Sequence, residues 1–151
     1  MSRRALLDID VLVALFDPDH VHHEHAHDWF ADHRGDGWAS CPLTENGLIR
    51  VLSNPRYGSP AGGLRAVRDA VMRFLASKDH EFWPDDISLA DDTLFNVSAV
   101  VGHRPITDVY LLGLARRHHG HLVTLDRSIP VRAVVGADAH SLTVIEPHEK
   151  G

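Results

Sequence analysis

The stretch RALLDID, Arg4 to Asp10, places two carboxylates at the end of a short apolar run. An apolar run of this length, followed directly by polar residues, is typical of a central strand in a parallel sheet covered on both faces. Asp8 would then stand at the carboxyl end of the strand, and Asp10 is expected to cap a helix formed by VLVALF. Burying ionised carboxylates is costly unless a cation or hydrogen-bond donors compensate them, so this stretch predicts a partner for Asp8.

The composition is that of an ordinary globular protein, with 151 residues of which 44% are hydrophobic and 24% charged. No apolar run approaches the roughly 20 residues that span a bilayer, and acidic residues follow the N-terminus too soon for a signal peptide. A cytoplasmic protein without membrane contact is therefore expected. Cys41 is the single cysteine, which fits a reducing compartment. The net charge of −6 argues against an extended cationic surface, yet it leaves open a nuclease whose carboxylates surround a divalent cation.

Short apolar segments alternate with helix-like segments along the whole chain. The segments ALL, WASC, HEFWP, HLVTLD and LTVIE are predicted as strands, in this order. Between them, helices are predicted at PLTENGLIRVLS with Thr44 as N-cap, from Pro60 to Lys78 with Leu64 on the apolar face, and around Thr107 as N-cap. This alternation predicts an α/β sandwich with a mostly parallel central sheet.

Four acidic residues stand where such a fold would bring side chains together. Asp8 and Asp126 both follow apolar strands, and the carboxyl ends of parallel strands share one edge of the sheet, where ligands bind. Glu45 and Asp108 each follow a threonine predicted to cap a helix, and a helix N-terminus favours an ionised carboxylate. We therefore expect these four acids to converge. The alternative, that each simply ends a strand or begins a helix, stays open for any single one of them.

Carboxylates brought within a few ångströms repel one another and raise one another's pKa, so such a cluster is destabilising without a cation. Oxygen ligands without cysteine or a required imidazole are typical of Mg²⁺, or of Mn²⁺ in its place. A divalent cation of this kind polarises a phosphoryl oxygen and lowers the pKa of the water that it binds. The cluster accordingly predicts hydrolysis of phosphodiester bonds.

The segments LLDIDVLVALF, PLTENGLIRVLSNPR, ITDVYLLGLARRHHG and LVTLDRSI, in this order, resemble those of PIN-domain proteins, and more narrowly the VapC-type ribonuclease toxins of bacterial toxin–antitoxin pairs. The resemblance extends from Leu6 to about Ile145. It implies a single PIN domain over residues 1–151, built as a three-layer α/β/α sandwich. It further implies Mg²⁺-dependent endonucleolytic cleavage of RNA, a homodimer, and inhibition by a small VapB-type antitoxin that covers the acidic pocket.

The signature carboxylates of that family correspond here to Asp8, Glu45, Asp108 and Asp126. The resemblance implies that Asp8 and Asp108 bind the metal directly, and that Glu45 and Asp126 complete the pocket, one or both of them through water. The family usually has asparagine or a hydroxyl residue at the position of Asp10. This fifth acid is therefore interpreted either as a helix cap or as an additional outer ligand.

Three arginines lie close in sequence to these acids, namely Arg50, Arg56 and Arg127. They could bind the phosphates of an RNA substrate, or they could form ion pairs that balance the acids, and the sequence leaves both interpretations open. Ser40 and Cys41 have no histidine and acid partner at a known spacing, so a protein nucleophile is not predicted.

Other functions remain as alternatives, of which a PIN nuclease of housekeeping RNA processing is the nearest. The segment HVHHEHAH contains five histidines, with His23 and His27 on one helix face. A solvated surface is favoured there over a metal-binding function, because the segment has no cysteine partner and no HExxH motif. A non-enzymatic phospho-acceptor domain also gathers acids at strand ends, but it needs a lysine near them, and the only lysines are Lys78 and Lys150.

Overall fold

The computed structural model describes residues 3–57 and 63–146 of the chain. The strands are β1 (Ala5–Leu7), β2 (Trp38–Ser40), β3 (His80–Phe82), β4 (His121–Thr124) and β5 (Leu142–Val144). They form one sheet in the order β3-β2-β1-β4-β5, in which all four pairings are parallel. Each strand lies within a segment predicted as a strand, so the predicted parallel sheet is confirmed.

Within the described residues, α-helices separate the first four strands along the chain. They are α1 (Ile9–Phe16), α2 (His23–His33), α3 (Pro42–Ser53), α4 (Leu64–Leu75) and α5 (Ile106–Arg117). None of the helices in these two ranges is long and apolar enough to cross a bilayer. Single turns of 3₁₀ helix occur at Arg34–Asp36, Pro55–Tyr57, Val97–Ala99, Val131–Ala133 and Ala139–Ser141.

The helices cover both faces of the sheet. In β1, Leu6 packs on one face and Leu7 on the other, because successive side chains of a strand alternate. The core on the Leu6 face is completed by α5 and by apolar side chains of residues 83–100. The core on the Leu7 face is completed mainly by α1, α3 and α4. The predicted three-layer α/β/α sandwich is therefore confirmed.

The first helix is capped by Asp8 and not, as the sequence predicted, by Asp10. The Asp8 carboxylate accepts a hydrogen bond from the backbone N–H of Ile9 at 2.6 Å. Its backbone is extended, with φ −62° and ψ 156°, as an N-cap requires. Asp10 is the second residue of the helix and is exposed. The prediction was wrong because the chain passes from β1 into α1 without a loop, so the helix begins two residues earlier than expected, at Ile9.

The two predicted threonine caps are also wrong. Cys41 is the N-cap of α3, and Thr44 lies in the first turn, where its hydroxyl accepts from the Cys41 N–H at 3.0 Å. Pro105 is the N-cap of α5, and Thr107 follows inside the helix. The acids that follow the two threonines still lie in the first turns of their helices, so the argument from the helix dipole is retained.

The helix α4 is shorter than the sequence predicted. The predicted start at Pro60 lies outside the described residues, and the observed helix ends at Leu75 rather than Lys78. Val67 and Val71 are buried, but Leu64 is 62% exposed, so its predicted place on the buried face is wrong. The apolar face of α4 therefore packs into the core only from Val67 onward.

We expect Gly120→Ala to destabilise the fold by about 1–3 kcal/mol, because an added methyl group overpacks a tight site. A Cβ at Gly120 would meet the backbone oxygen of Arg4, and would stand 2.7 Å from the Trp83 ring. The matched control is Gly35→Ala, where nothing lies within 4 Å of an added Cβ. Chemical denaturation should place this control within about 0.5 kcal/mol of the wild-type free energy of unfolding. Equal stabilities of both variants would contradict the described close approach of Gly120 to Arg4 and Trp83.

Candidate active site

Asp8 is fixed at the carboxyl edge of the sheet by two donors. Its Oδ1 accepts from the Ile9 N–H at 2.6 Å, and its Oδ2 accepts from the Thr124 hydroxyl at 2.7 Å. The second contact follows from the parallel register, in which Leu7 of β1 lies beside Val123 of β4. Asp8 is only 3% exposed, so its carboxyl is both buried and held in one orientation.

Other aspartates crowd this buried carboxyl. The pKa of Asp8 is raised to about 8, chiefly by burial, then by the negative charge of Asp108 and, less strongly, of Asp10. Burial also raises the pKa of the half-buried Asp108, and the charges of Asp126 and Asp10 act in the same direction, while hydrogen bonding with Asp8 opposes them. We call Asp8, Asp10, Asp108 and Asp126 the aspartate cluster, because these side chains act on one another electrostatically.

Asp126 lies in the loop after β4 and acts on Asp108 through its charge. Its Oδ1 accepts from the backbone N–H and the hydroxyl of Ser128, at 2.8 and 2.6 Å. Its own backbone N–H donates to the Thr124 hydroxyl oxygen at 3.1 Å, and that hydroxyl in turn donates to Asp8. Thr124 therefore ties the end of β4 to the end of β1 across the site.

Glu45 lies in a different environment from the aspartates. It stands in the first turn of α3, and its Oε2 accepts from the Ser40 hydroxyl at 2.6 Å. The Ser40 oxygen also contacts His80 Nε2 at 2.7 Å. The charges that raise the pKa values of Asp8 and Asp108 come from other aspartates, whereas the polar contact of Glu45 is with Ser40. The four predicted acids therefore divide into three interacting aspartates and one glutamate with its own hydrogen-bond network.

The aspartate cluster offers oxygen ligands without a cationic partner. No ion pair among the described residues involves Asp8, Asp10, Asp108 or Asp126. Nor do any three His, Cys, Asp or Glu side chains of residues 3–57 and 63–146 form a set that could hold a metal ion by itself. Mg²⁺ commonly takes only one or two protein carboxylates and completes its shell with water and substrate phosphate. Asp8 and Asp108 fit this kind of site, because a cation between them would relieve the repulsion that raises their pKa values.

The three arginines predicted to contact substrate lie at the surface. Arg50 is in the last turn of α3, and Arg56 is in the 3₁₀ turn that follows. Arg127 forms an ion pair of 3.3 Å with Glu146, and not with the aspartate cluster. Contact with RNA phosphates stays a prediction for all three.

The histidine-rich segment makes local contacts. His23 Nδ1 lies 2.7 Å from the backbone oxygen of Ala14, which joins α2 to α1. The backbone N–H of His22 donates to His20 Nδ1 at 3.0 Å. The rings of His23 and His27 have centroids 5.9 Å apart on the same helix face, as their spacing predicted.

Three residues of the site were not predicted from the sequence. Thr124 could have been suspected, because it is a polar residue inside the apolar strand HLVTLD, directly before Asp126. The same holds for Ser40 at the end of β2. Nothing in the sequence pairs it with His80, which lies 40 positions away and meets it only through the pairing of β2 with β3.

Known proteins resemble the chain in sequence and in fold. The family model described as PIN domain matches residues 5–134. Ribonuclease VapC44 of Mycobacterium tuberculosis is 44% identical over 142 residues, which cover 94% of this chain and 99% of that protein. Ribonuclease VapC38 of the same organism is 43% identical over 125 residues, covering 83% and 86% of the two chains. A solved structure of VapBC2 from Rickettsia felis, bound to a DNA fragment from their promoter, matches in fold with a TM-score of 0.55 and 12% identity, covering 83% of this chain and 92% of that one.

We expect Asp8→Asn to flatten the dependence of stability on pH in metal-free buffer and to raise stability above pH 8. The pKa of Asp8 is 3.8 without the fold and about 8 within it, so the folded state binds the proton more tightly. The stabilisation is complete below the unfolded pKa and is lost as the pH rises through the folded pKa. Asparagine keeps a capping oxygen but carries no charge.

The measurement is the thermal unfolding temperature in EDTA between about pH 5 and pH 9, the range in which the raised pKa of Asp8 makes stability depend on pH. Wild type should lose stability more steeply than Asp8→Asn as the pH rises. The control, Asp32→Asn, removes an exposed carboxylate of α2 and should follow wild type. Parallel curves for wild type and Asp8→Asn would show that the fold does not raise the pKa of Asp8.

Proposed function

Since the chain belongs to the PIN-domain family, among the VapC-type ribonucleases, we propose that it is the toxin of a bacterial toxin–antitoxin pair and cleaves RNA endonucleolytically with Mg²⁺. The observation that carries the metal-dependent part is the crowding of the buried Asp8 carboxyl by Asp108 at the carboxyl edge of the sheet. Ligands bind at this edge in open parallel sheets.

Asp8 and Asp108 would hold the cation, with Mn²⁺ as its substitute. Their oxygens are the hard ligands that these ions prefer, and water and substrate phosphate would fill the remaining positions. When bound, Mg²⁺ polarises the phosphoryl oxygen and lowers the pKa of attacking water. Asp126, tied to Asp8 through Thr124, would act on the same ion through water.

The chain's own residues supply position and charge. The Thr124 hydroxyl and the Ile9 N–H keep the Asp8 carboxylate in one orientation, so no reorganisation is needed when substrate binds. Glu45, held by Ser40 in the first turn of α3, is the acid to which we assign the proton of the attacking water. The proposed products carry 5′-phosphate and 3′-hydroxyl ends. Arg50, Arg56 and Arg127 are the proposed contacts to the RNA backbone, since guanidinium groups bind phosphate bidentately.

A small VapB-type antitoxin is the proposed partner, and a homodimer the proposed assembly. The aspartate cluster has no cationic partner among the described residues, so a cationic side chain of an antitoxin would offset its charge as a metal ion does. Occupation of this position would exclude the metal and block cleavage.

Two alternative functions predict different outcomes. A phospho-acceptor domain needs a lysine beside its aspartate, but Lys78 is exposed in the turn between α4 and β3, and Lys150 lies outside the described residues. A housekeeping PIN nuclease would cleave RNA with the same residues but would not arrest growth when expressed alone. Growth arrest that a neighbouring small gene reverses distinguishes the toxin.

We expect EDTA to abolish RNA cleavage and Mg²⁺ to restore it. Asp8→Asn and Asp108→Asn should each lower the cleavage rate by at least about 100-fold, because each removes charge that stabilises the transition state through the metal. The measurement is cleavage of structured RNA followed on denaturing gels. The matched control is Asp92→Asn, an exposed carboxylate outside the cluster, which should cleave like wild type. Full cleavage in EDTA, or by either cluster variant, would refute the metal-dependent mechanism.

We expect the double variant His23→Gln and His27→Gln to cleave RNA within about twofold of wild type, since surface substitutions away from a site have small effects. Glutamine can still donate to the Ala14 oxygen that His23 contacts. The assay is the same gel assay with Mg²⁺. A loss comparable to that of Asp108→Asn would instead assign the metal to the histidine-rich segment.

A further inference from the structure

A hydrogen-bonded chain of three side chains runs along one face of the sheet beside the proposed site. Ser40, at the end of β2, is fully buried. Its hydroxyl oxygen lies 2.6 Å from Glu45 Oε2 and 2.7 Å from His80 Nε2. Ser40 and His80 reach each other because β2 and β3 are paired in parallel, with Trp38 beside His80 and Ser40 two residues further along on the same face.

The direction of these hydrogen bonds follows from the groups involved. An ionised carboxylate only accepts, so the single hydroxyl hydrogen of Ser40 is donated to Glu45. The Ser40 oxygen accepts from His80 in the tautomer that carries its proton on Nε2. In this tautomer the two hydrogen bonds run from the His80 imidazole to the Ser40 hydroxyl and from that hydroxyl to the Glu45 carboxylate.

Packing alone does not account for this hydroxyl. The residues on either side of Ser40, Ala39 and Cys41, are fully buried, and a hydroxyl placed there costs free energy unless it is bonded. Alanine would fill the position without that cost. The His80 ring is in turn held against Trp38, with centroids 4.5 Å apart. Burial lowers the pKa of His80, a hydrogen bond with the Leu75 backbone opposes it, and the charges of Arg4 and Glu81 act in opposite directions.

We propose that Ser40 and His80 are positioning residues that fix the Glu45 carboxylate for the cleavage reaction. The proposal rests on the proposed ribonuclease function, in which Glu45 accepts the proton of attacking water. A glutamate at the start of a helix otherwise rotates about three side-chain bonds, and catalysis is sensitive to displacements of about 1 Å in a reacting group. The hydroxyl of Ser40 holds Oε2 through a hydrogen bond of 2.6 Å and so restrains the position of the carboxylate.

The first test compares steady-state kinetics of RNA cleavage. Ser40→Ala and His80→Leu should lower kcat by about 10- to 100-fold with little change in KM, because misplacement affects the reaction rather than binding. His80→Gln, which can still present an N–H to Ser40, should retain most of kcat. The control Ser53→Ala removes a hydroxyl from α3, the helix that carries Glu45, where it donates to the Ile49 oxygen, and this variant should cleave like wild type. Circular dichroism confirms that each variant is folded.

A double-mutant cycle separates positioning from a general structural effect. In the Glu45→Gln background, Ser40→Ala should cause no further loss of kcat, because the group that it positions is already gone. A Ser40→Ala loss of the same size in both backgrounds would overturn the proposal. So would wild-type kcat for Ser40→Ala in a protein that does cleave RNA, and this result would leave the ribonuclease function intact.

A second measurement does not depend on activity. Imidazole ¹⁵N chemical shifts distinguish the two neutral tautomers, and His80 should carry its proton on Nε2 in wild type. Ser40→Ala and Glu45→Gln should both shift the His80 signals, while Ser53→Ala should not. Protonation on Nδ1 in wild type would overturn the ordered chain even if RNA is cleaved. If wild type fails to cleave any RNA, the proposed ribonuclease function is wrong, and so is the proposed catalytic role of Ser40, His80 and Glu45.

Discussion

The repulsion between carboxyls at the end of β1 is the constraint on which the rest of the site depends. Asp8 is nearly fully buried, and the negative charge of Asp108 adds to the cost of ionising it. A sequence selected for stability alone would place a neutral residue at this position. The same unfavourable charge would give the site an affinity for a cation, so the cost of ionising Asp8 and the proposed chemistry have one physical origin.

The topology of the sheet explains why these groups meet. The strand order reverses at β1, since the chain proceeds from β1 to β2 and β3 on one side and continues with β4 and β5 on the other. Such a reversal opens a crevice at the carboxyl ends of the two central strands. Asp8 follows one of these strands and Thr124 ends the other, and a hydrogen bond of 2.7 Å joins them. Asp108 enters from the first turn of α5, which packs on the Leu6 face.

The site contains two electrostatic environments, which suits a division of roles between its acids. The aspartates are crowded, and their pKa values are raised by burial and by one another. Glu45 accepts instead a hydrogen bond from the neutral hydroxyl of Ser40. In the proposed reaction the aspartates would bind the cation while Glu45 accepts a proton.

The sequence by itself determined the strands, the parallel sheet, the layers and the position of Asp8, because apolar runs and helical spacing are local properties. It also predicted that Asp8, Glu45, Asp108 and Asp126 would converge, from strand ends and helix N-termini. The three aspartates do act on one another, and the described polar contact of Glu45 is with Ser40. It misplaced the caps of α1, α3 and α5, because a helix start depends on how the chain leaves the preceding segment. Only the tertiary structure decided the hydrogen bonds: Thr124 reaches Asp8 across 116 positions, and His80 reaches Ser40 across 40. Such contacts depend on strand order and register, which are fixed by the packing of the whole sheet and leave no local pattern in the chain.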